Sequence, residues 1–183
     1  VDYEDAHAAT PQISKKIFER VKALVSGVQV VVIEDYAKGL LSRELCALVI
    51  GVAKKARKPV LVDPNSKSDP VLYRGASLLT PNTKEAEALS GIKISDARSL
   101  KAVGAEILKK TKAASLIITR GKDGMAIFEK GRATPKLIPT YAREVYDVSG
   151  AGDTVISVLA LALGAGASLE EAARLANLAA AIE

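Results

Sequence analysis

Apolar positions along this chain alternate between helical spacing and short unbroken runs. Ile13, Ile17, Val21, Leu24 and Val25 recur on one helical face, with Thr10-Pro11 ahead as N-cap and first-turn proline and Gly27 behind as a stop. Residues 28–33 then form a β-branched run with almost no polar alternation, the pattern of a parallel strand covered on both faces. A second helix is expected over 43–56, capped by Ser42. A second buried strand follows, opened by Pro59, running to Val62 and ended by Asp63-Pro64-Asn65. Residues 77–80 read as a third short strand. Pro81 enforces an extended exit from it, Asn82 caps the next helix and Gly91 closes that helix.

Leu100, Val103, Ile107 and Leu108 mark a helix over 96–110, after which 115–119 is again strand. Gly121-Lys122-Asp123-Gly124 turns the chain into a strand over 125–129, with a hairpin at Lys130-Gly131. An apolar run over 155–163 behind Gly150-Ala151-Gly152 predicts a buried helix that starts at the glycines. A last helix is opened by Ser168 with Glu171 as a capping-box pair. Strand and helix alternating over short connections specify an α/β chain with a mostly parallel sheet, and 183 residues suggest about one domain. Asp35, Asp63, Asn82, Thr119 and Asp153 all fall at the C-terminal ends of strands or at helix starts beyond them, where open parallel sheets bind ligands.

Composition narrows the classes. The hydrophobic share is 49% with only 4% aromatic, so the core is aliphatic and alanine-rich. A net charge of +5 suits an anionic ligand, but Lys and Arg are scattered along helix faces and there is no Trp, which argues against nucleic acid. Cys46 is the only cysteine and sits in a helical apolar pattern; an intrachain disulfide is excluded and a reduced, cytoplasmic compartment is expected. His7, the single histidine, cannot build a metal site with it. The longest apolar stretch, 155–167, is broken by Ser157, Gly164 and Gly166 and falls short of the roughly 20 residues of a membrane span. The chain starts at Val1 and shows no signal peptide, and a piece of something longer is expected.

The chemistry concentrates in Asp147-Val148-Ser149-Gly150-Ala151-Gly152-Asp153-Thr154. Glycines at a helix start let the backbone come close to a bound group. The first amides of the helix lack intrahelical acceptors and sit at the positive end of the macrodipole, so they can hold an anion. Asp153 in that first turn is either a helix-charging residue or a general base beside an anion hole. A second constellation is Asn82 with Glu85 three residues on, the spacing of a capping box.

The Asp147–Thr154 octet resembles the C-terminal signature of the ribokinase-like (PfkB) carbohydrate kinases. The resemblance implies a three-layer α/β/α fold with a mostly parallel sheet, and ATP-dependent transfer of a phosphoryl group to a sugar hydroxyl. Asp153 would take the proton, and the amides of Gly150, Ala151 and Gly152 would receive the transferring group. Asn82 and Glu85 are similar to the family's Asn-x-x-Glu motif at the magnesium and phosphate end. Thr119, Gly121 and Gly124 match its nucleotide loop, and Asn177 a position beside the adenine. ATP and Mg2+ are thus the implied cofactors, and ATP and a sugar phosphate the implied small-molecule partners, with no nucleic acid or membrane and a homodimer for the complete protein.

Asp35-Tyr36-Ala37-Lys38-Gly39, residues 73–82 and Glu144-Val145-Tyr146-Asp147-Val148 look most like the heptose 7-phosphate kinases of this family. Other kinases of the fold, acting on fructose, ribose or a ketodeoxy sugar acid, and a non-catalytic nucleotide-binding module are the alternatives. Two departures stand out: Asn65-Ser66 where relatives usually have Lys-Gly, leaving Lys67 as a substitute, and Glu34 where serine is frequent. The resemblance covers residues 1–183 as the later part of a kinase domain, without the N-terminal strands and the lid.

Overall fold

The computed structural model describes residues 7–140 and 150–181. Among them, six strands pair into one sheet in the order in which they occur along the chain. β1 (Val31–Glu34), β2 (Val60–Asp63), β3 (Leu78–Leu79) and β4 (Ser115–Thr119) are parallel neighbours; β5 (Met125–Glu129) and β6 (Lys136–Ile138) continue the sheet antiparallel. Helices α1 (Pro11–Leu24), α2 (Arg43–Lys55), α3 (Thr83–Ser90) and α4 (Ala97–Thr111) pack on one face, and α5 (Ala151–Gly164) and α6 (Leu169–Ala179) on the other. This is the three-layer α/β/α arrangement.

The sheet divides the core by the two-residue period of a strand. Val60 and Val62, Leu79, Leu116 and Ile118, Ala126 and Phe128 face α1–α4. Their neighbours Leu61, Leu78, Ile117, Met125 and Ile127 face α5 and α6. Both faces are covered, which is why these strands show no hydrophobic alternation in the sequence. Gly104, in the middle of α4, lets the helix lie against the Phe128 ring; a Cβ there would sit 2.2 Å from a ring carbon. Cys46 is buried in α2, and burial pushes its thiol up to about 11, so it is a protonated core residue.

The helix starts follow the local signals. Thr10 and Ser42 accept hydrogen bonds from the amides of Ile13 and Leu45, and capping boxes form at Asn82/Glu85, Asp96/Ser99 and Ser168/Glu171. Some bounds shift. Val25–Gly27 forms a 3-10 turn after α1, so the first strand begins at Val31 rather than at residue 28, where the Val31 amide bonds to the Pro59 carbonyl, and it extends to Glu34. The hairpin after β5 has a longer connection than Lys130-Gly131, and its return strand β6 is weakly marked because Lys136 and Leu137 are exposed. Asp147, Val148 and Ser149 of the glycine-containing octet, with residues 144–146, lie outside the described residues.

Candidate active site

Gly150 has φ +88°, the left-handed region that suits glycine, and it directly precedes α5 with no side chain capping the helix. The amides of Ala151, Gly152 and Asp153 therefore open the helix without intrahelical acceptors, and Asp153 stands exposed at its third position. The buried face of α5 carries Val155, Ile156 and Leu159. Packing of α5 on β1 and β2 sets its start beside the C-terminal end of β2: a Cβ on Gly152 would lie 3.7 Å from Asp63 Oδ2.

That start forms one wall of a cleft of about 370 Å³, within the size range of small-molecule sites. The cleft brings together most of the residues singled out in the sequence: Ala151 and Gly152 from α5, Asn82 from the start of α3, Thr119, Gly121 and Gly124 from the β4–β5 connection, and Asn177 from α6. Gly150 adjoins it in sequence. Glu85 is half-buried one turn into α3, with its carboxylate turned back onto the Asn82 amide at 2.8 Å.

On the β4 side the walls are locked together by backbone. Thr119 donates to the Pro81 carbonyl at 3.0 Å and forms a parallel bridge with Asn82, while its own carbonyl accepts from Thr83 Oγ1. Gly121 has φ +53° with open space where a side chain would stand. Gly124 is required for a different reason. A Cβ there would be 2.0 Å from the Ile138 carbonyl oxygen and 2.6 Å from the Thr140 amide nitrogen, because the chain leaving β6 crosses at this point. Asn177 is buried and donates from Nδ2 to the Pro139 carbonyl at 2.7 Å, so it ties α6 to the same crossing segment. Met125, Thr140 and Lys84 also line the cleft and were not singled out. Lys84 was legible as a cation between Asn82 and Glu85; Thr140 became a wall only through the β6 crossing.

The acidic residues at the strand ends divide into two roles. Asp63 Oδ1 accepts from Thr80 Oγ1 at 3.0 Å. Burial is the main reason its carboxyl is raised from 3.8 to about 7; the Thr80 hydrogen bond opposes that, and the charges of Glu85, Asp153 and Glu34 add to it. Tyr36 donates to Glu34 Oε2 at 3.0 Å, which with the charges of Glu34, Asp153 and Asp63 pushes its phenol up to about 12. Glu34, Asp63, Glu85 and Asp153 thus share one negative field at the C-terminal end of the sheet. Glu85 is itself raised, chiefly by burial and against its hydrogen bonds to Asn82.

Asp35 belongs elsewhere. It is buried and accepts from the Ala37 amide, Ser68 Oγ and Tyr73 Oη at 2.8, 2.6 and 2.7 Å. Asn65 completes this knot, donating from Nδ2 to the Asp35 carbonyl and from its amide to Tyr73 Oη. The residue that departs from the family pattern therefore holds two strand-end loops together, while Lys67 is exposed and lines no part of the cleft. Asp35 lines no part of the cleft, and its carboxylate is taken up by the loops around it.

Among the described residues, no group of three or more His, Cys, Asp or Glu is placed to hold a metal ion directly. The donor set fits a hydrated divalent cation touched through water: Asn82 and Glu85 have capping partners already, and hard oxygen-rich surroundings with few direct carboxylates are what magnesium on phosphates accepts. No helix of the described residues is long and apolar enough to cross a membrane.

Residues 4–183 match the model of the pfkB family carbohydrate kinases. The chain is 45% identical over 182 residues to the bifunctional protein HldE of Geobacter sulfurreducens and 42% identical to that of Wolinella succinogenes, covering all of this chain in both and 37% and 38% of those proteins. It thus spans well under half the length of these relatives. Among solved structures it is similar to Arabidopsis thaliana ribokinase complexed with ribose and ATP, with 25% identity and a TM-score of 0.77 over 89% of this chain and 52% of that one. It is also similar to Escherichia coli phosphofructokinase-2, with a TM-score of 0.79 at 20% identity over 95% of this chain and 57% of that one. A three-layer sheet fold, a helix that starts at Gly150-Ala151-Gly152-Asp153 on the rim of a cleft, and matches to the family model over residues 4–183 and to relatives at 45% identity along this chain place it in the pfkB family of carbohydrate kinases.

Proposed function

We propose that this chain is the later part of an ATP-dependent sugar kinase domain that transfers the γ-phosphoryl group to a sugar hydroxyl, the anomeric hydroxyl of a heptose 7-phosphate. The observation that carries the reading is the uncapped start of α5, whose Ala151 and Gly152 wall a cleft shared with Thr119, Gly121, Gly124 and Asn177, with Asp153 exposed next to Gly152 in the same first turn. Asp153 accepts the hydroxyl proton. The amides at Gly150, Ala151 and Gly152 receive charge as it develops on the moving phosphoryl group, donors that are set in place before reaction and need no reorganisation.

Thr119, Gly121 and Gly124 present backbone to the nucleotide, Asn177 and Thr140 line its far wall, and Asn82 lies toward the phosphates. Asn82 and Glu85 would hold magnesium through its water shell; when bound, the ion supplies neutralisation of phosphate charge. Asp63, half-protonated near neutrality beside Asp153, limits the negative charge facing an anionic substrate.

Support for the heptose assignment comes from residues 73–82 and from 42–46% identity to HldE proteins along this chain. The complete protein is expected to be a homodimer, which light scattering would report. The test of the activity is coupled ADP release by the complete protein with ATP, magnesium and heptose 7-phosphate, fructose, ribose or a ketodeoxy sugar acid. Turnover is expected with the heptose phosphate. Preference for another sugar overturns the substrate, and no sugar-dependent ADP release overturns the kinase in favour of a non-catalytic nucleotide-binding module.

A further inference from the structure

Five basic residues meet in a concavity away from the cleft. At the opposite end of the same strands, a groove of about 460 Å³ is lined by Lys54, Arg57, Lys58, Lys112 and Lys130. Its floor comes from the entries into β2, β3 and β4: Pro59-Val60, Ala76-Ser77 and Ala113-Ala114. The cleft takes Asn82 and Thr119 from the exits of β3 and β4, so the two concavities are separated by the strand length, about 16 Å for a five-residue strand. One end of the sheet carries Glu34, Asp63, Glu85 and Asp153, and the other carries these cations.

Among the described residues, no carboxylate lies within ion-pairing distance of any of these cations; the neighbouring Glu129 pairs with Arg132. Cations beside helix C-termini are ordinarily explained by the macrodipole, and that accounts for Lys54, Arg57 and Lys112, which lie at the ends of α2 and α4. It extends to Lys58, whose amide closes the end of α2 on the Ala53 carbonyl at 2.9 Å, but it does not account for Lys130, nor for all of them rimming one concavity. Arg57 and Lys112 also hold left-handed backbone, with φ of 58° and 54°, at helix-end positions where glycine is the unstrained choice. Charge is kept at these positions although glycine would suit the backbone better.

We propose that this groove is a second anion site that takes a small phosphorylated metabolite carrying two or more adjacent phosphate charges, separate from the cleft at the other end of the sheet. Its volume matches a nucleotide or sugar bisphosphate, its cations surround a short span rather than a stripe, and no aromatic residue lines it for base stacking. These features favour a compact polyanion over nucleic acid.

Inorganic tripolyphosphate is the probe, followed by amide chemical shifts and calorimetry on the full chain. The amides of Val60, Gly75, Ala76 and Ala114 are expected to move together with one dissociation constant that weakens with salt. In the variant Arg57→Gly/Lys112→Gly/Lys130→Gln that constant should rise about tenfold or more, because each lost surface charge removes a Coulombic contribution. Glycine suits both left-handed positions, so the thermal midpoint should hold or rise. Lys58→Gln/Lys130→Gln, which leaves both left-handed positions unchanged, is the second variant and should weaken binding in the same direction. Shifts confined to Lys84 and Gly150–Asp153, or unchanged affinity in both variants, would overturn the proposal. Tighter binding of a short DNA duplex than of tripolyphosphate through the same amides would replace it with a nucleic-acid surface.

Discussion

Removing the charge of Asp63 should stabilise this protein, and only above mildly acid pH. Its carboxyl is raised from 3.8 to about 7, first by burial and then by the surrounding Glu85, Asp153 and Glu34. At about 1.4 kcal/mol per unit, that rise corresponds to about 4 kcal/mol for a site fully shut from water. Asp63 is half-buried, so screening by solvent brings the expected effect to about 2 kcal/mol. The folded state holds this proton more tightly than the unfolded chain. The stability it contributes is complete below 3.8 and is lost as pH rises through about 7. In Asp63→Asn the side-chain carbonyl still accepts from Thr80 Oγ1, and no charge forms at any pH. Urea denaturation followed by far-UV circular dichroism should show parent and variant close at about pH 3, below the unfolded value of 3.8, and the variant ahead by about 2 kcal/mol at pH 8. A difference that does not change with pH, or a variant less stable than its parent at pH 8, would refute the buried-acid account of this residue. A carboxylate that weakens the fold at working pH is the kind of group retained at sites for chemistry rather than for packing.

In the complete enzyme, Asp153→Asn should leave nucleotide affinity nearly intact while turnover falls by a factor on the order of 10² or more; steady-state kinetics beside calorimetry with ATP would read both, and full turnover would reduce Asp153 to a helix-charging residue. Glu85→Gln should raise the magnesium concentration for half-maximal rate while stability falls by about 1 kcal/mol; a stability loss with unchanged magnesium dependence would leave only the capping box. Gly124→Ala should destabilise by about 3 kcal/mol or more, because its φ of +73° is combined with a Cβ position 2.0 Å from the Ile138 carbonyl oxygen; a thermal midpoint near the parent's would contradict the crossing of β6 at that point.

The helix starts were legible because capping is local chemistry: Thr10, Ser42, Asn82, Asp96 and Ser168 each satisfy amides within three residues of themselves. The apolar runs of β2 and β4 were legible for the opposite reason, since burial on both faces removes alternation altogether. β6 was not, because its three residues pair with β5 on one side and leave Lys136 and Leu137 in solvent. Within the site, the glycine start of α5 and Asp153 could be read from spacing and from family likeness. Nothing in the spacing distinguished Asp63 from Asp35, as both are acids at strand ends. Tyr73 and Ser68, more than 30 residues along the chain, saturate Asp35 and withdraw it from the site.

From sequence alone came the elements, their alternation and the family, all of which depend on short-range signals or on motif likeness. Tertiary structure alone decided which strand-end acids share a field, that Gly124 and Asn177 are both engaged by the segment leaving β6, and that five cations from separate parts of the chain line one groove at the end of the sheet away from the cleft. Each of these depends on residues brought together across the sheet from distant parts of the chain. The energies involved, desolvation and close backbone approach, act through space and leave no period in the sequence.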